Sequence, residues 1–270
     1  MGFDSIAVVA GAPRSGTSWL GQIVDSSPQV VYRYQPLFSY AFKNFVDFDS
    51  PPQRWQELFE RLYVARDDFL EQRKQRESGA YPTFEKDPDP RLLAFKETRY
   101  HYLLRKMLES SGVLRLVAVV RNPCAVVNSW IRNPREFPPG SDLRTEWRFG
   151  ACKNEGREEN FFGFYKWKEL VHIFMDLRAQ HPDRVHLVRY EDLLDRPEEE
   201  SQRIFDFLGL QLGESTRRFL AESHQRTSED PYGVFRAGEV RDRWRDELPD
   251  FIAREIERDL AGTALESYLR

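Results

Sequence analysis

A single α/β domain, three layers deep with a central parallel sheet, is the fold class this sequence predicts. Apolar runs repeatedly give way to helical patterns, and a glycine-rich turn joins the first run to the first helix. A chain of 270 residues with 40% hydrophobic content also suits one substantial core. Strands that alternate with helices build a parallel sheet, because each crossover helix covers a face of the strands it connects.

The first unit is a strand over residues 6–11, Ile-Ala-Val-Val-Ala-Gly, followed by a helix over 17–26. A second pairs the apolar residues 92–95 with a helix over about 99–110. The third runs from a strand over 115–121 into a helix over 123–132, where Asn122 can cap the helix and Pro123 fits its first turn. The last is a strand over 185–190 and a helix over 197–208, stopped by Gly209. Between these units, Trp55 to about Gln75 is charged with spaced Phe, Leu and Tyr, and reads as one amphipathic helix over the sheet. Residues 133–160 carry Pro134, Pro138, Pro139, Gly140, Gly150 and Gly156, and read as an irregular insertion. Phe161, Phe162, Phe164, Trp167, Val171 and Phe174 then read as the core face of a helix.

The turn after the first strand, Gly11-Ala-Pro-Arg-Ser-Gly-Thr-Ser18, follows the G-x-x-x-x-G-K-[ST] phosphate loop except that Thr17 stands where the lysine belongs. That lysine reaches the β- and γ-phosphates of a nucleoside triphosphate, so triphosphate chemistry is disfavoured while the anion cradle is kept. Backbone N–H groups and the positive end of the following helix suit a 5′-phosphate or a phosphate-like group. Arg14 and the hydroxyls of Ser15, Thr17 and Ser18 add charge and hydrogen bonds. Arg121 ends another strand, and Ser129 lies about two helical turns beyond it, so the two can converge on one phosphate.

Composition narrows the class further. A net charge of −4 argues against a general nucleic-acid binder. The two cysteines, Cys124 and Cys152, make neither a disulfide framework nor a four-ligand zinc site, and the five histidines lack metal-ligand spacing, so no metal is expected. With the first strand starting near residue 6 and no long apolar window, the expectation is a cytoplasmic chain with no membrane span. Oligomeric state stays open.

Pro-Arg-Ser-Gly-Thr-Ser-Trp-Leu, residues 13 to 20, resembles the 5′-phosphosulfate loop of the sulfotransferases that use 3′-phosphoadenosine 5′-phosphosulfate (PAPS). Residues 116 to 129 are similar to the family's 3′-phosphate motif, and Val234-Phe-Arg236-Ala-Gly238-Glu-Val resembles its late Arg-Lys-Gly loop, with Ala237 in place of lysine. The resemblance implies one sulfotransferase domain over residues 1–270, with PAPS as co-substrate and residues 133–160 near the acceptor. It assigns the donor to Arg14, Ser15, Gly16, Thr17, Ser18, Trp19, Arg121, Ser129, Arg236 and Gly238, with Tyr190 either reaching the nucleotide or packing the core. Catalytic candidates are Arg14, Gln35, Glu97 and His101. Gln35 stands where several branches place a glutamate base, and glutamine can orient a hydroxyl but cannot take its proton. Glu97 and His101 follow the strand at 92–95, where cytosolic members carry a catalytic histidine.

The implied reaction moves a sulfuryl group from PAPS to a hydroxyl or amine of a small molecule or saccharide. The spacing around Tyr32 to Phe38 points to the carbohydrate branch. Two alternatives stand beside it: a nucleotide-binding protein without transferase activity, and a diverged phosphate-loop kinase.

Overall fold

β1 (Ser5–Gly11) is the middle of the molecule, flanked on both sides and shielded from solvent along most of its length. Around it lie β2 (Val30–Tyr34), β3 (Leu92–Glu97), β4 (Leu114–Val120) and β5 (Val185–Arg189), in the order β2-β3-β1-β4-β5 with every pairing parallel. These elements belong to a computed structural model that describes residues 2–225, 233–235 and 241–270. The molecule is a single α/β domain with a five-stranded parallel sheet.

Strand periodicity explains the three layers. Ile6, Val8 and Ala10 of β1 join Leu116, Ala118 and Val120 of β4 in one core, while Ala7 and Val9 join Val117 and Val119 in the other. Helices Pro52–Val64, Leu104–Ser110, Pro123–Ile131, Phe164–Gln180 and Asp250–Leu260 contribute to the first core. Helices Thr17–Asp25, Pro197–Leu208 and Glu214–Gln225 contribute to the second. Both faces are covered, which is why these strands are continuous apolar runs rather than alternating ones. Each fully buried Val or Ile in them stabilises the fold by about 1.5–3 kcal/mol.

Several boundaries differ from the sequence expectation, each for a local reason. β2 was not expected: its Tyr32-Arg33-Tyr34 is too polar to read as a strand, yet it pairs with β3 at the sheet's edge. The helix expected over residues 55–75 is two, Pro52–Val64 and Arg73–Glu77. Arg33 ends the first by donating to the carbonyls of Leu62, Tyr63 and Ala65, and Asp67 then accepts from the N–H groups of Phe69 and Leu70 to form a turn. Residues 133–160 hold the short helices Leu143–Phe149 and Ala151–Asn154 and the 3₁₀ turn Glu158–Asn160, so this segment is not wholly irregular. Trp130, Phe137 and Phe162 form a small core of their own beneath it.

No helix among the described residues is long and apolar enough to cross a membrane. No cluster of His, Cys, Asp and Glu suited to a metal ion occurs among those residues either.

Candidate active site

The turn between β1 and helix Thr17–Asp25 is shaped by two left-handed residues, Arg14 at φ 75° and Gly16 at φ 88°. Alternating right- and left-handed backbone gathers successive N–H groups into an anion-binding concavity. Two glycines are sterically required. A Cβ on Gly11 would lie 2.7 Å from Thr17 Cγ2 and 2.8 Å from the Val119 carbonyl oxygen, and one on Gly16 would lie 2.4 Å from the Tyr190 ring. No side chain caps the helix that follows, which leaves its first N–H groups to a ligand. Ser15 Oγ is buried with no hydrogen-bond partner among the described residues, which fits a hydroxyl that meets a ligand oxygen.

The two phosphate motifs meet through Arg14. Its Nε donates to Ser129 Oγ at 3.1 Å, and Arg121 Nη1 donates to the Arg14 carbonyl at 3.0 Å. Arg121 also lies over the Tyr190 ring, 4.7 Å from its centroid, and Tyr190 meets Trp19 edge to face at 6.1 Å. Tyr190 therefore packs the core and lines the site at once. The Arg121–Asn122 turn is held from both sides. Trp167 Nε1 donates to the Arg121 carbonyl at 3.0 Å, and the buried Glu191 carboxylate accepts the Asn122 N–H at 2.9 Å.

These groups surround a cavity of about 270 Å³ at the carboxyl ends of β1, β3 and β4. Of the residues expected from sequence, Arg14, Gly16, Thr17, Ser18, Trp19, Gln35, Arg121, Ser129 and Tyr190 line it, and Ser15 is buried in the same loop. Arg236 and Gly238 lie outside the described residues. A larger cleft of about 780 Å³ follows the outer edge of β2, where Arg76 and Lys86 pair with the buried Asp25.

Of the expected catalytic candidates, Glu97 and His101 do not line the cavity. Glu97 is 0% exposed, and one carboxylate oxygen accepts the N–H groups of Arg99 and Tyr100 at 2.8 and 3.0 Å, which fixes the turn after β3. Burial raises its pKa. His101 is 1% exposed, with Nε2 at 3.2 Å from the Gly11 carbonyl oxygen, so it braces the phosphate loop from behind. Burial lowers its pKa to about 3, which keeps the ring neutral. Gln35 does face the cavity, in the left-handed conformation at φ 40°, and its Oε1 accepts from Thr98 Oγ1 at 2.9 Å.

Sequence reasoning had missed Lys96 as a site residue. Only 3% exposed, it donates from Nζ to Ser18 Oγ at 2.9 Å and stands 4.2 Å from the centroid of the Tyr34 ring. Burial holds its pKa below the usual lysine value. The available signal was a lysine at the carboxyl end of an apolar strand, where ligands of parallel sheets collect. Thr98, Arg99 and Glu136 also line the cavity.

A phosphate cradle without its triphosphate lysine, an arginine pair linked to a helical serine and a parallel sheet define an α/β domain built to bind a phosphate-bearing ligand. The family described as the sulfotransferase domain matches residues 4–258, and the chain belongs to it. Membership makes it a PAPS-dependent sulfotransferase and sets aside the kinase alternative. The chain is similar to cytosolic sulfotransferase 12 of Arabidopsis thaliana, at 25% identity over 274 residues, 95% of this chain and 76% of that protein. Among solved structures it resembles mouse sulfotransferase SULT7A1 complexed with PAP, with a TM-score of 0.56 at 14% identity over 99% of this chain and 90% of that one. It also resembles the sulfotransferase domain of the Synechococcus PCC 7002 olefin synthase, with a TM-score of 0.53 at 20% identity over 96% and 95%. These two likenesses are likenesses of fold.

Proposed function

We propose that this protein transfers the sulfuryl group of PAPS to a hydroxyl of a small acceptor, a saccharide on the reading that the Tyr32–Phe38 segment supports, within the cavity around Arg14. The observation that carries this reading is the Arg121–Arg14–Ser129 chain of hydrogen bonds, which joins two sequence motifs into one polyanion site. When bound, PAPS supplies the activated sulfuryl group and leaves as adenosine 3′,5′-bisphosphate (PAP). Ser15, Thr17, Ser18 and the loop's backbone N–H groups would hold the 5′ end, and Arg121 with Ser129 the 3′-phosphate. Arg14 acts as a permanent charge, since a guanidinium does not give up its proton near neutral pH.

Lys96 adds a second positive charge beside Ser18, in a site where burial strengthens its field. At the acceptor end, the bonded Gln35 and Thr98 pair orients a hydroxyl. Glu136, a buried carboxylate that lines the same cavity and pairs with Lys153 at 2.8 Å, would take the proton from that hydroxyl. Calorimetric titration with PAP tests the donor assignment. Arg121→Ala weakens binding by about tenfold or more, as expected for loss of a charge-assisted contact, while Gln35→Ala changes it little. Equal affinity of the Arg121 variant and the parent would remove the 3′-phosphate assignment.

A further inference from the structure

The acceptor end of the cavity holds a cation that the donor assignment does not use. Arg99 follows β3, and its Nη1 donates to Asn160 Oδ1 at 3.0 Å and to the Glu159 carbonyl at 3.4 Å. Its guanidinium carbon lies 4.6 Å from the centroid of the Phe38 ring and 5.3 Å from that of Phe162. Two aromatic faces and one amide therefore set the plane of the guanidinium before any ligand arrives. Among the described residues, Nε and Nη2 make no hydrogen bond and Arg99 forms no ion pair. Glu97, whose field reaches Arg99, has one carboxylate oxygen on the backbone of the intervening turn.

Of the five other cations that line the cavity among the described residues, four are engaged, and the fifth, Arg243, lines it from the segment that carries Trp244. Arg14 and Arg121 are linked to each other, Lys96 bonds Ser18, and Arg132 faces Glu247 at 3.3 Å. Beside Arg99 the surface is apolar and open. Phe38 is 45% exposed, its ring lies 6.3 Å from that of Phe69, and Phe69 meets Tyr34, a cavity residue, at 5.4 Å. A ring can lie on this aromatic floor with a hydroxyl toward Gln35 and a substituent toward the guanidinium. Nε–H and Nη2–H form the parallel donor fork that matches two oxygens of one anion.

We propose that Arg99 is an anion-recognition residue of the acceptor site, and that the acceptor is a hydroxyl compound whose ring carries a carboxylate or sulfate group. The proposal rests on the sulfotransferase reading above, which makes this end of the cavity the acceptor's. A sugar acid and an aryl acid share this chemistry, and matched probes distinguish them.

The experiment is calorimetric titration of the PAP-saturated protein with two pairs. One is methyl β-D-glucuronide against methyl β-D-glucoside, and the other is 4-hydroxyphenylacetate against 4-hydroxyphenylacetamide. In at least one pair the anion binds about tenfold more tightly than its neutral partner, as one charge-assisted fork predicts, and that pair names the acceptor class. Arg99→Gln reduces the preference to about twofold or less, and Arg99→Lys, which keeps the charge but loses the fork, falls between. PAP binding by each variant reports that it is folded. Equal affinities within both pairs, no binding of either anion, or a preference that survives in Arg99→Gln would overturn the proposal. Failure of the parent protein to bind PAP would instead bring down the donor reading on which it rests.

Discussion

Lys96→Met removes one ammonium from the cavity and keeps most of the side chain's apolar stem. Burying an ion costs several kcal/mol even after relaxation. Here that cost is offset by one hydrogen bond from a charged donor to Ser18, worth about 1.5–3 kcal/mol, and by the Tyr34 ring, worth about 2 kcal/mol when desolvated. The terms nearly cancel, so methionine leaves stability unchanged or raises it by about 1–2 kcal/mol, an upward shift of a few degrees in Tm. Catalysis behaves in the opposite way. On the proposed role of Lys96, losing this preorganised charge lowers kcat by about 10²-fold, while PAP affinity shifts by about threefold or less. Thermal melting, PAP calorimetry and PAPS-dependent turnover on the same preparations read all three quantities. A variant that melts lower and loses PAP affinity in parallel would show that Lys96 is scaffold, and an unchanged kcat would refute its electrostatic role.

Gly16→Ala places a methyl group in a left-handed position and 2.4 Å from the Tyr190 ring, which itself carries Arg121. If the cradle must be held in this strained shape to bind, a backbone cost of about 1–2 kcal/mol lowers PAP affinity by about five- to thirtyfold, and parental affinity would show that the loop relaxes freely. His101 makes stability fall with acidity. Its folded pKa of about 3 lies below the ordinary 6.5, so between those values the unfolded chain takes up a proton that the folded chain refuses. Urea melts at pH 6.5 and 5 should differ by roughly 1.5 kcal/mol more in the parent than in His101→Gln. Equal pH dependence in the two proteins would mean that the ring titrates normally. Glu136→Gln should abolish turnover while retaining PAP binding, and sustained turnover would exclude Glu136 as the base.

What the sequence reveals and conceals follows from what each signal measures. β1 and β4 are legible because burial on both faces writes them as unbroken apolar runs, and helix Pro123–Ile131 because Asn122 and Pro123 mark its start. β2 is hidden because an edge strand beside a site can carry Tyr32, Arg33 and Tyr34. The phosphate cradle is legible because its chemistry is contiguous: spacing alone places Arg14, Ser15, Gly16, Thr17 and Ser18 on one turn. The full burial of Glu97 and His101 was not legible, because residue type is visible in a sequence while burial is not. Lys96 was missed because its partner, Ser18, is 78 positions away and is brought near through the β1–β3 pairing. Arg99 became informative only once Phe38, Asn160 and Phe162, from distant segments, were seen around it.

The donor site is tested most directly by calorimetric binding of PAP against AMP, ADP and ATP, which needs no knowledge of the acceptor. A 3′-phosphate held by Arg121 and Ser129 predicts that PAP binds at least about tenfold more tightly than any of the three. Preference for ATP, or no binding of PAP, would contradict the account at its centre.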